Sequence, residues 1–376
     1  MQRRSFVHGA GLAGIAGAGA LLAACGKKEE APAAAPAAPA VVTGETIRWR
    51  LASSFPKALD TIFGSAEVFS EQVKAMSGGK FEISVHAGGE LLPPFGVVDG
   101  IQGGTVEMAH TAPYYFFGKD PTFAMDCAIP FGLNSRQLTA WMYDGNGMKL
   151  FREFYANFNI INFPMGNTGA QMGGWYRKEI KSLADVKGLK MRIGGFGGAV
   201  LQRIGGVPQN IPGGEIYQAL EKGTIDAAEW VGPYDDQKLG FNKVAPNYYY
   251  PGWWEGGPQL SLYINSKAWE GLSAEYKAIV ENAAAHAHTV MQAKYDSKNP
   301  AALKELVGAG TKLFRFPKDV MDGAYKEATA LYSELSGSNP AWKKIYEDYS
   351  AFRREQNLWF RFAEAGFDNF MQQQKL

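Results

Sequence analysis

The chain has 376 residues, of which 46% are apolar, which is enough for two domains that each bury a core. Its 38 basic and 37 acidic residues give a formal net charge of +1. This balance excludes nucleic acid or an anionic membrane surface as the main partner, because either would require a strong basic surplus.

Residues 1–24 are predicted to be an export signal. Arg3 and Arg4 precede the apolar run Gly9–Ala24, which is too short to remain as a membrane-spanning helix. The arginine pair resembles a twin-arginine signal, and general secretion is the alternative. The stretch LLAAC, which ends at Cys25, resembles a bacterial lipobox whose cysteine carries lipid; the alternative is a generic cleavage site.

Residues 25–44 are predicted to be a disordered linker between that lipid anchor and the folded chain. The segment is charged at first and then rich in alanine and proline. The other cysteine, Cys127, stands among apolar residues and is predicted to be a buried core thiol.

The folded chain is predicted to begin with a strand, a helix and a second strand. Apolar and polar residues alternate over 46–53 and again over 80–88, whereas residues 58–76 have a helical pattern that ends at two glycines. This order is typical of a right-handed parallel unit.

Two stretches of the sequence resemble each other. Gly104–Tyr115 reads GTVEMAHTAPYY and Gly223–Asp235 reads GTIDAAEWVGPYD, and each follows a helix-like segment. The shared order of Gly-Thr turn, short buried strand and Pro-Tyr exit predicts two similar α/β halves. Their strand ends would face each other across a cleft.

The remaining elements follow from the same patterns. Residues 161–178 read as strand, turn and strand, and Leu189–Ile193 as a short strand. Residues 248–272 are predicted to be one aromatic-rich return strand. Helices are predicted over 135–143, 147–158 and from Ser273 to the end.

Motifs of common enzyme classes are missing from the sequence. There is no Gly-x-Ser-x-Gly, Walker loop, Cys-x-x-Cys or His-Glu-x-x-His motif. The glycine-rich run 194–200 lacks the spacing of a dinucleotide loop. His286 and His288 are two residues apart on a predicted helix and would face different sides, which argues against a metal pair.

Two charged residues lie near the ends of predicted strands beside the cleft. Arg192 could hold a carboxylate with two parallel hydrogen bonds, or it could serve as a structural ion-pair residue. Glu229 ends an apolar strand, where a carboxylate is unfavourable unless a cation accompanies it. A buried salt bridge between Glu229 and Arg192 is the purely structural alternative.

An amide and a second carboxylate complete a candidate cation site. Gln171 and Glu255, with Glu229 and a backbone carbonyl, form a set of hard oxygen donors suited to calcium or sodium. Gln171 could instead make ordinary hydrogen bonds, and Glu255 could be an exposed loop acid. The predicted pocket walls, for which core packing is the alternative, are Tyr114, Tyr115, Phe116 and Trp230.

The runs SLADVKGLKMR and LQRIGGVPQNIPGGEIYQALEKGTIDAAE resemble the fingerprint of the solute-binding receptors of tripartite ATP-independent periplasmic (TRAP) transporters. The resemblance extends from about Thr46 to the C-terminal helices. It implies a periplasmic receptor, not an enzyme, that closes on a ligand and delivers it to a membrane permease.

The resemblance also assigns roles within the site. It implies that Arg192 pairs with the ligand carboxylate. Gln171, Glu229 with Trp230, and Glu255 resemble the residues of 2-oxo acid and lactate receptors, in which a cation helps to hold the ligand. Trp230 would contribute its backbone carbonyl, and Asn167 is also predicted to bind the ligand. The expected ligand is a small monocarboxylate such as pyruvate or lactate.

The fold implied by the resemblance is α/β, two-lobed and periplasmic binding protein-like, with crossing strands and long C-terminal helices. The predicted parts are lobe I at 45–166, to which 255–300 returns, lobe II at 167–254, and C-terminal helices at 301–376. Those helices would pack across the lobes or on a partner subunit, which permits a homodimer. The membrane would be contacted only through the N-terminal anchor.

Three other functions compete with this interpretation. An exported enzyme could use Glu229 and Glu255 for acid-base or metal-assisted chemistry. A TRAP receptor could instead bind a sugar acid without a metal. A scaffold or adhesin would bind no small ligand.

Overall fold

The computed structural model describes residues 45–374 and has the predicted α/β architecture, with two mixed sheets and many helices. The predicted export signal, the linker and Cys25 lie outside the described residues. The strands are β1 Ile47–Ser53, β2 Phe81–His86, β3 Met108–Thr111, β4 Ile160–Asn167, β5 Trp175–Tyr176, β6 Lys190–Arg192, β7 Val207–Gln209, β8 Ala227–Ala228, β9 Asn247–Tyr250, β10 Gln259–Asn265 and β11 Lys312–Arg315.

The helices surround the two sheets, and the C-terminal third of the chain is mostly helical. The helices are α1 Gly64–Met76, α2 Val97–Gln102, α3 Ser135–Tyr143, α4 Gly147–Ala156, α5 Gly195–Arg203, α6 Ile216–Glu221, α7 Pro233–Leu239, α8 Ser266–Glu270, α9 Ala274–Gly308, α10 Lys318–Ser338, α11 Pro340–Phe362 and α12 Glu364–Gln372. No helix within residues 45–374 is both long and apolar enough to cross a membrane.

The two sheets repeat one topology. The first has the order β2-β1-β3-β10-β4 and the second the order β11-β9-β5-β8-β6-β7. β1 pairs in parallel with β2 and β3, and β6 pairs in parallel with β7 and β8. Each half therefore runs strand, helix, strand, helix, strand, and the third strand then meets an antiparallel neighbour, β10 or β5.

The two similar sequence stretches occupy equivalent places in these halves. β3 follows α2 and leads into a 3-10 turn, Pro113–Phe116, whereas β8 follows α6 and leads into α7 at Pro233. Both strands lie beside the first strand of their half. The predicted duplication is thus found in the topology, and ligands of such sheets bind beyond the carboxyl ends of the parallel strands.

Three predicted elements differ from the structure. Residues 58–63 form turns, and the helix begins at Gly64. The single return strand predicted over 248–272 is wrong: it is two strands, β9 and β10, in different sheets, because Pro251 and the following glycines interrupt it.

The predicted unbroken helical remainder after Ser273 is also wrong. Lys312–Arg315 forms β11, which pairs in parallel with β9 at the edge of the second sheet. Gly310 before this segment and Pro317 after it are the turn residues that separate it from α9 and α10. The residue limits given above for the lobes remain predictions.

Candidate functional site

Two neighbouring parallel strands bring Arg192 and Glu229 together. Arg192 is the last residue of β6, and Glu229 follows β8 directly, with its N–H 3.1 Å from the Arg192 carbonyl. Arg192 Nη1 contacts the Glu229 carboxylate and donates to the Glu229 carbonyl at 3.1 Å, while Nε donates to the Ile211 carbonyl at 3.0 Å. Both side chains are fully buried.

Backbone hydrogen bonds fix the two loops that carry Gln171 and Glu255. The Gln171 N–H donates to the Glu255 carbonyl at 3.1 Å, and the Gly252 N–H donates to the Gln171 carbonyl at 2.9 Å. The next residue, Met172, donates to the Val231 carbonyl at 3.1 Å. The exit of β8 and both loops therefore form one hydrogen-bonded unit, and Glu255 is buried rather than an exposed loop acid.

Trp230 and Tyr114 reach the site because a glycine faces each ring. A Cβ added to Gly213 would lie 2.4 Å from Cη2 of Trp230, and one added to Gly195 would lie 2.6 Å from Cβ of Tyr114. Gly195 also has a φ of +53°, which favours glycine. The glycine-rich run that opens α5 thus allows a close approach to Tyr114. The Trp230 ring lies 5.1 Å from the Arg192 guanidinium carbon.

A small cavity lies beside these residues and contains about 270 Å³ of space not filled by atoms. Its partly polar wall consists of Tyr114, Tyr115, Thr168, Gln171 and Trp230. Its apolar wall includes Phe55, Ile62, Ala112, Cys127, Val231 and Leu260.

Several buried polar atoms of the site have no hydrogen-bond partner among residues 45–374. They include three acceptors, Gln171 Oε1, Glu229 Oε2 and Glu255 Oε2. The donors Arg192 Nη2 and Trp230 Nε1 are also without a partner there. Buried polar atoms are normally satisfied, so such a group in one place indicates that further molecules complete the site.

The carboxylates outnumber the cationic side chains at this site. Burial and the nearby charge of Glu229 raise the pKa of Glu255 well above its ordinary value, and Arg192 and the Tyr114 hydroxyl offset this only in part. Burial also raises the pKa of Glu229, against the opposing effect of Arg192. One arginine compensates only one of the two carboxylates, so the ionised pair would leave one buried negative charge without a partner.

The unpaired acceptors fit a hard cation. They comprise one amide and two carboxylate oxygens, which calcium and sodium accept and which zinc sites rarely use alone. Residues 45–374 contain no group of three or more His, Cys, Asp or Glu placed to hold a metal. A cation here therefore depends on the amide oxygen as well as the acids.

Of the predicted site residues, Tyr114, Tyr115, Gln171 and Trp230 line the cavity, whereas Arg192, Glu229 and Glu255 are buried outside its lining. Phe116 packs against Phe123, with 5.9 Å between ring centroids, and does not line the cavity. Asn167 donates to the Gly257 carbonyl at 3.0 Å and accepts from the Gly169 N–H at 2.9 Å, so its side chain fixes the local backbone. Its predicted role as a ligand contact remains a prediction.

The sequence analysis does not identify the apolar wall, and it places Cys127 in the core. The positions of Phe55 and Ala112 could have indicated part of this wall, because they closely follow the parallel strands β1 and β3 at their carboxyl ends. Pro258 and Leu260 come from the antiparallel strand β10 and its approach. Only the three-dimensional pairing of β10 with β3 brings them there.

Comparison with known proteins gives a consistent family. The sequence model described as bacterial extracellular solute-binding protein, family 7, matches residues 52–338. A protein of Nostoc sp., described as a monocarboxylate 2-oxoacid-binding periplasmic protein, is 49% identical over 324 residues, which are 86% of this chain and 89% of the relative.

Two solved structures are similar over nearly their whole length. One is a TRAP transporter solute-binding protein of Bordetella bronchiseptica, a dimer with calcium and picolinate in one site. It is 51% identical with a TM-score of 0.86, covering 87% of this chain and 98% of that one. Another, from Pseudoalteromonas atlantica, has bound sodium and pyruvate; it is 36% identical with a TM-score of 0.84, covering 88% and 100%.

The raised pKa of Glu255 predicts a pH dependence of stability in a chelating buffer. A carboxyl with a raised folded-state pKa stabilises the fold below its ordinary value of 4.5, and this contribution is lost as the pH rises through the folded-state value. As the pH rises above that ordinary value, the thermal midpoint of the wild type should fall more steeply than that of Glu255→Gln, which cannot ionise at this position. Parallel calorimetric curves for the two proteins would contradict this assignment.

Proposed function

Because the chain belongs to the bacterial extracellular solute-binding proteins of family 7, we propose that it is the periplasmic receptor of a TRAP-type transporter and binds a small 2-oxo monocarboxylate through Arg192 and a bridging cation. The observation that carries this proposal is the group of unsatisfied buried atoms on Gln171, Arg192, Glu229 and Glu255, which comprises three oxygen acceptors and one guanidinium donor. A cation would satisfy the oxygen acceptors, and a carboxylate ligand would accept a hydrogen bond from the guanidinium donor.

Arg192 is the anchor for the ligand carboxylate in this proposal. Its Nε and Nη1 are held by Ile211 and Glu229, which leaves Nη2 as the unpaired donor. Burial opposes the charge of Arg192, but the surrounding acidic groups, led by Glu229, together outweigh it, so the pKa of Arg192 is raised and the guanidinium stays charged. A pre-oriented, buried donor loses little entropy when it receives the carboxylate.

Gln171, Glu229 and Glu255 would hold the cation, with the Trp230 carbonyl as the fourth predicted oxygen. When bound, the cation supplies positive charge between these side chains and the ligand oxygens. Two carboxylates and a monocarboxylate ligand carry three negative charges, and Arg192 compensates one of them. The two that remain favour calcium over sodium, because a divalent ion leaves the buried site neutral.

The cavity favours a ligand with one charged end and a short apolar remainder. Phe55, Ile62 and Leu260 contribute to its apolar wall. A sugar acid would bury several hydroxyls against such a wall without hydrogen bonds, which is unfavourable. An enzymatic use of Glu229 and Glu255 has less support. Glu229 already contacts Arg192, and the family to which the chain belongs consists of solute-binding proteins.

The partner proposed for the loaded receptor is the membrane permease of the transporter. We propose that export is followed by attachment of lipid to Cys25, which would keep the receptor at a membrane through the predicted linker 25–44. Mass spectrometry of the mature N-terminus tests this: an acylated Cys25 supports the anchor, and an unmodified N-terminus without Cys25 refutes it.

The C-terminal helices are the proposed contact of a homodimer. In α11 and α12, Trp359, Phe362, Phe367 and Phe370 are each more than 60% exposed, and α12 has no buried residue. An apolar row of this kind is typical of an association surface. The dimeric Bordetella relative supports the proposal.

If this surface joins two copies, charges placed on it should separate them. The double variant Phe367→Glu/Phe370→Glu should sediment as a monomer under conditions where the wild type is a dimer, while its ligand affinity is kept. Tyr143→Glu, at an exposed aromatic residue on α3, is the matched control and should leave the mass unchanged. A wild-type monomer at high concentration would refute the proposal.

Replacement of Glu229 by Gln separates a cation-bridged receptor from an enzyme. We expect pyruvate affinity to fall by roughly 10-fold to 100-fold, and the response to added calcium to be lost with it, because one charged ligand of the ion is missing. Titration calorimetry with pyruvate, longer 2-oxo acids, lactate and a sugar acid, each with calcium, sodium or chelator, measures both effects. Glu215→Gln, at an exposed residue, is the control.

Two outcomes would contradict the proposed site. Unchanged affinity and calcium response in Glu229→Gln would exclude this carboxylate as a cation ligand. Tight, chelator-insensitive binding of a sugar acid to the wild type, without any response to 2-oxo acids, would refute the cation-bridged monocarboxylate site. An enzyme would instead retain substrate binding and lose turnover.

A further inference from the structure

The apolar wall of the cavity contains two small, unbranched side chains. Ala112 and Cys127 face the cavity together with Phe55, Ile62 and Leu260, all of which have larger side chains. The cavity extends furthest where the side chains of its wall are small, so Ala112 and Cys127 limit its depth on this side. Enlarging or trimming them changes the cavity directly, provided that the backbone does not move.

The backbone at both positions is held in place. The Cys127 N–H donates to the Ala124 carbonyl at 3.0 Å, and the Cys127 carbonyl accepts from Gln259 at 3.1 Å. The Ala112 carbonyl accepts from the Tyr115 N–H at 3.0 Å. Because the backbone is fixed at both residues, a change of side-chain volume at either one would change the space in the cavity and would not be offset by a backbone shift.

The larger residues around them form a fixed wall. The Phe55 ring lies 5.1 Å from the His110 ring and 6.2 Å from the Tyr115 ring, measured between centroids. Tyr115 in turn packs edge-on to Tyr114 at 5.0 Å. These rings cannot turn away without losing several aromatic contacts, so they leave little freedom for a longer ligand.

The Cys127 thiol has no chemical role that would explain its presence. It is a free, fully buried cysteine. Burial, with the nearby carboxyls of Glu255 and Asp126, raises the pKa of the thiol well above its ordinary value, so it remains protonated and unreactive. Its contribution to the cavity is the size and softness of the sulfur atom.

We propose that Ala112 and Cys127 determine the chain length of the acid that this receptor accepts. The ligand places its carboxylate at Arg192 and directs its apolar tail toward these two side chains. This inference rests on the proposed function, and it adds the residues that set specificity among otherwise similar 2-oxo acids.

The test compares straight-chain 2-oxo acids of three to six carbons by titration calorimetry on the full protein. Cys127→Ala should improve the affinity for the longest acids by roughly four-fold for each methylene that it admits, relative to pyruvate. Ala112→Val should lower the affinity for the longer acids by roughly 10-fold or more and leave pyruvate within about three-fold. Ala156→Val, at an exposed residue of α4 away from the cavity, is the matched control, so its order of preference should equal that of the wild type.

The outcomes distinguish this inference from the function on which it rests. If the wild type binds the acids and the folded variants keep its order of preference, Ala112 and Cys127 do not set chain length, and only this inference is refuted. If the wild type binds none of the acids, the proposed function fails and the inference falls with it. Thermal unfolding of each ligand-free variant identifies any variant that is not folded, and Cys127→Ala and Ala112→Val each test the inference independently.

Discussion

The sharing of one arginine by two buried carboxylates is the constraint from which the site follows. Arg192 contacts Glu229, and Glu255 lies close enough for each carboxylate to raise the energy of the other's charge. A buried carboxylate without a compensating charge is strongly unfavourable. The folded chain therefore has more buried negative than positive charge at this site, and a bound cation can compensate the difference. The same cation can bridge the protein to an anionic ligand.

The fold places this charge deficit at the carboxyl ends of strands of the second half and the apolar wall at the end of a strand of the first half. β6 and β8 of the second sheet deliver Arg192 and Glu229, whereas β3 of the first sheet leads to Ala112 and Tyr114. The loops that carry Gln171 and Glu255 cross between the sheets and are joined by backbone hydrogen bonds. Charge recognition and tail recognition thus come from different halves of one duplicated architecture.

The sequence predicted the charged part of the site better than its apolar part. Arg192 and Glu229 were recognisable because a charge at the end of an apolar strand is unusual and needs a partner. Cys127 and Leu260 look like ordinary core residues, and only the pairing of β10 with β3 and β4 shows that they face a cavity. β11 was missed because a short strand between two long helices has too few residues for a period to be recognised, although Gly310 and Pro317 mark its limits.

The most direct test of the shared-arginine account is a crystal structure of the protein grown with calcium and pyruvate, with the ion located by its anomalous scattering. The account predicts the ion between the side-chain oxygens of Gln171, Glu229 and Glu255, and the pyruvate carboxylate on Nη2 of Arg192. An ordered pyruvate without an ion at these oxygens, or a carboxylate held away from Arg192, would contradict it.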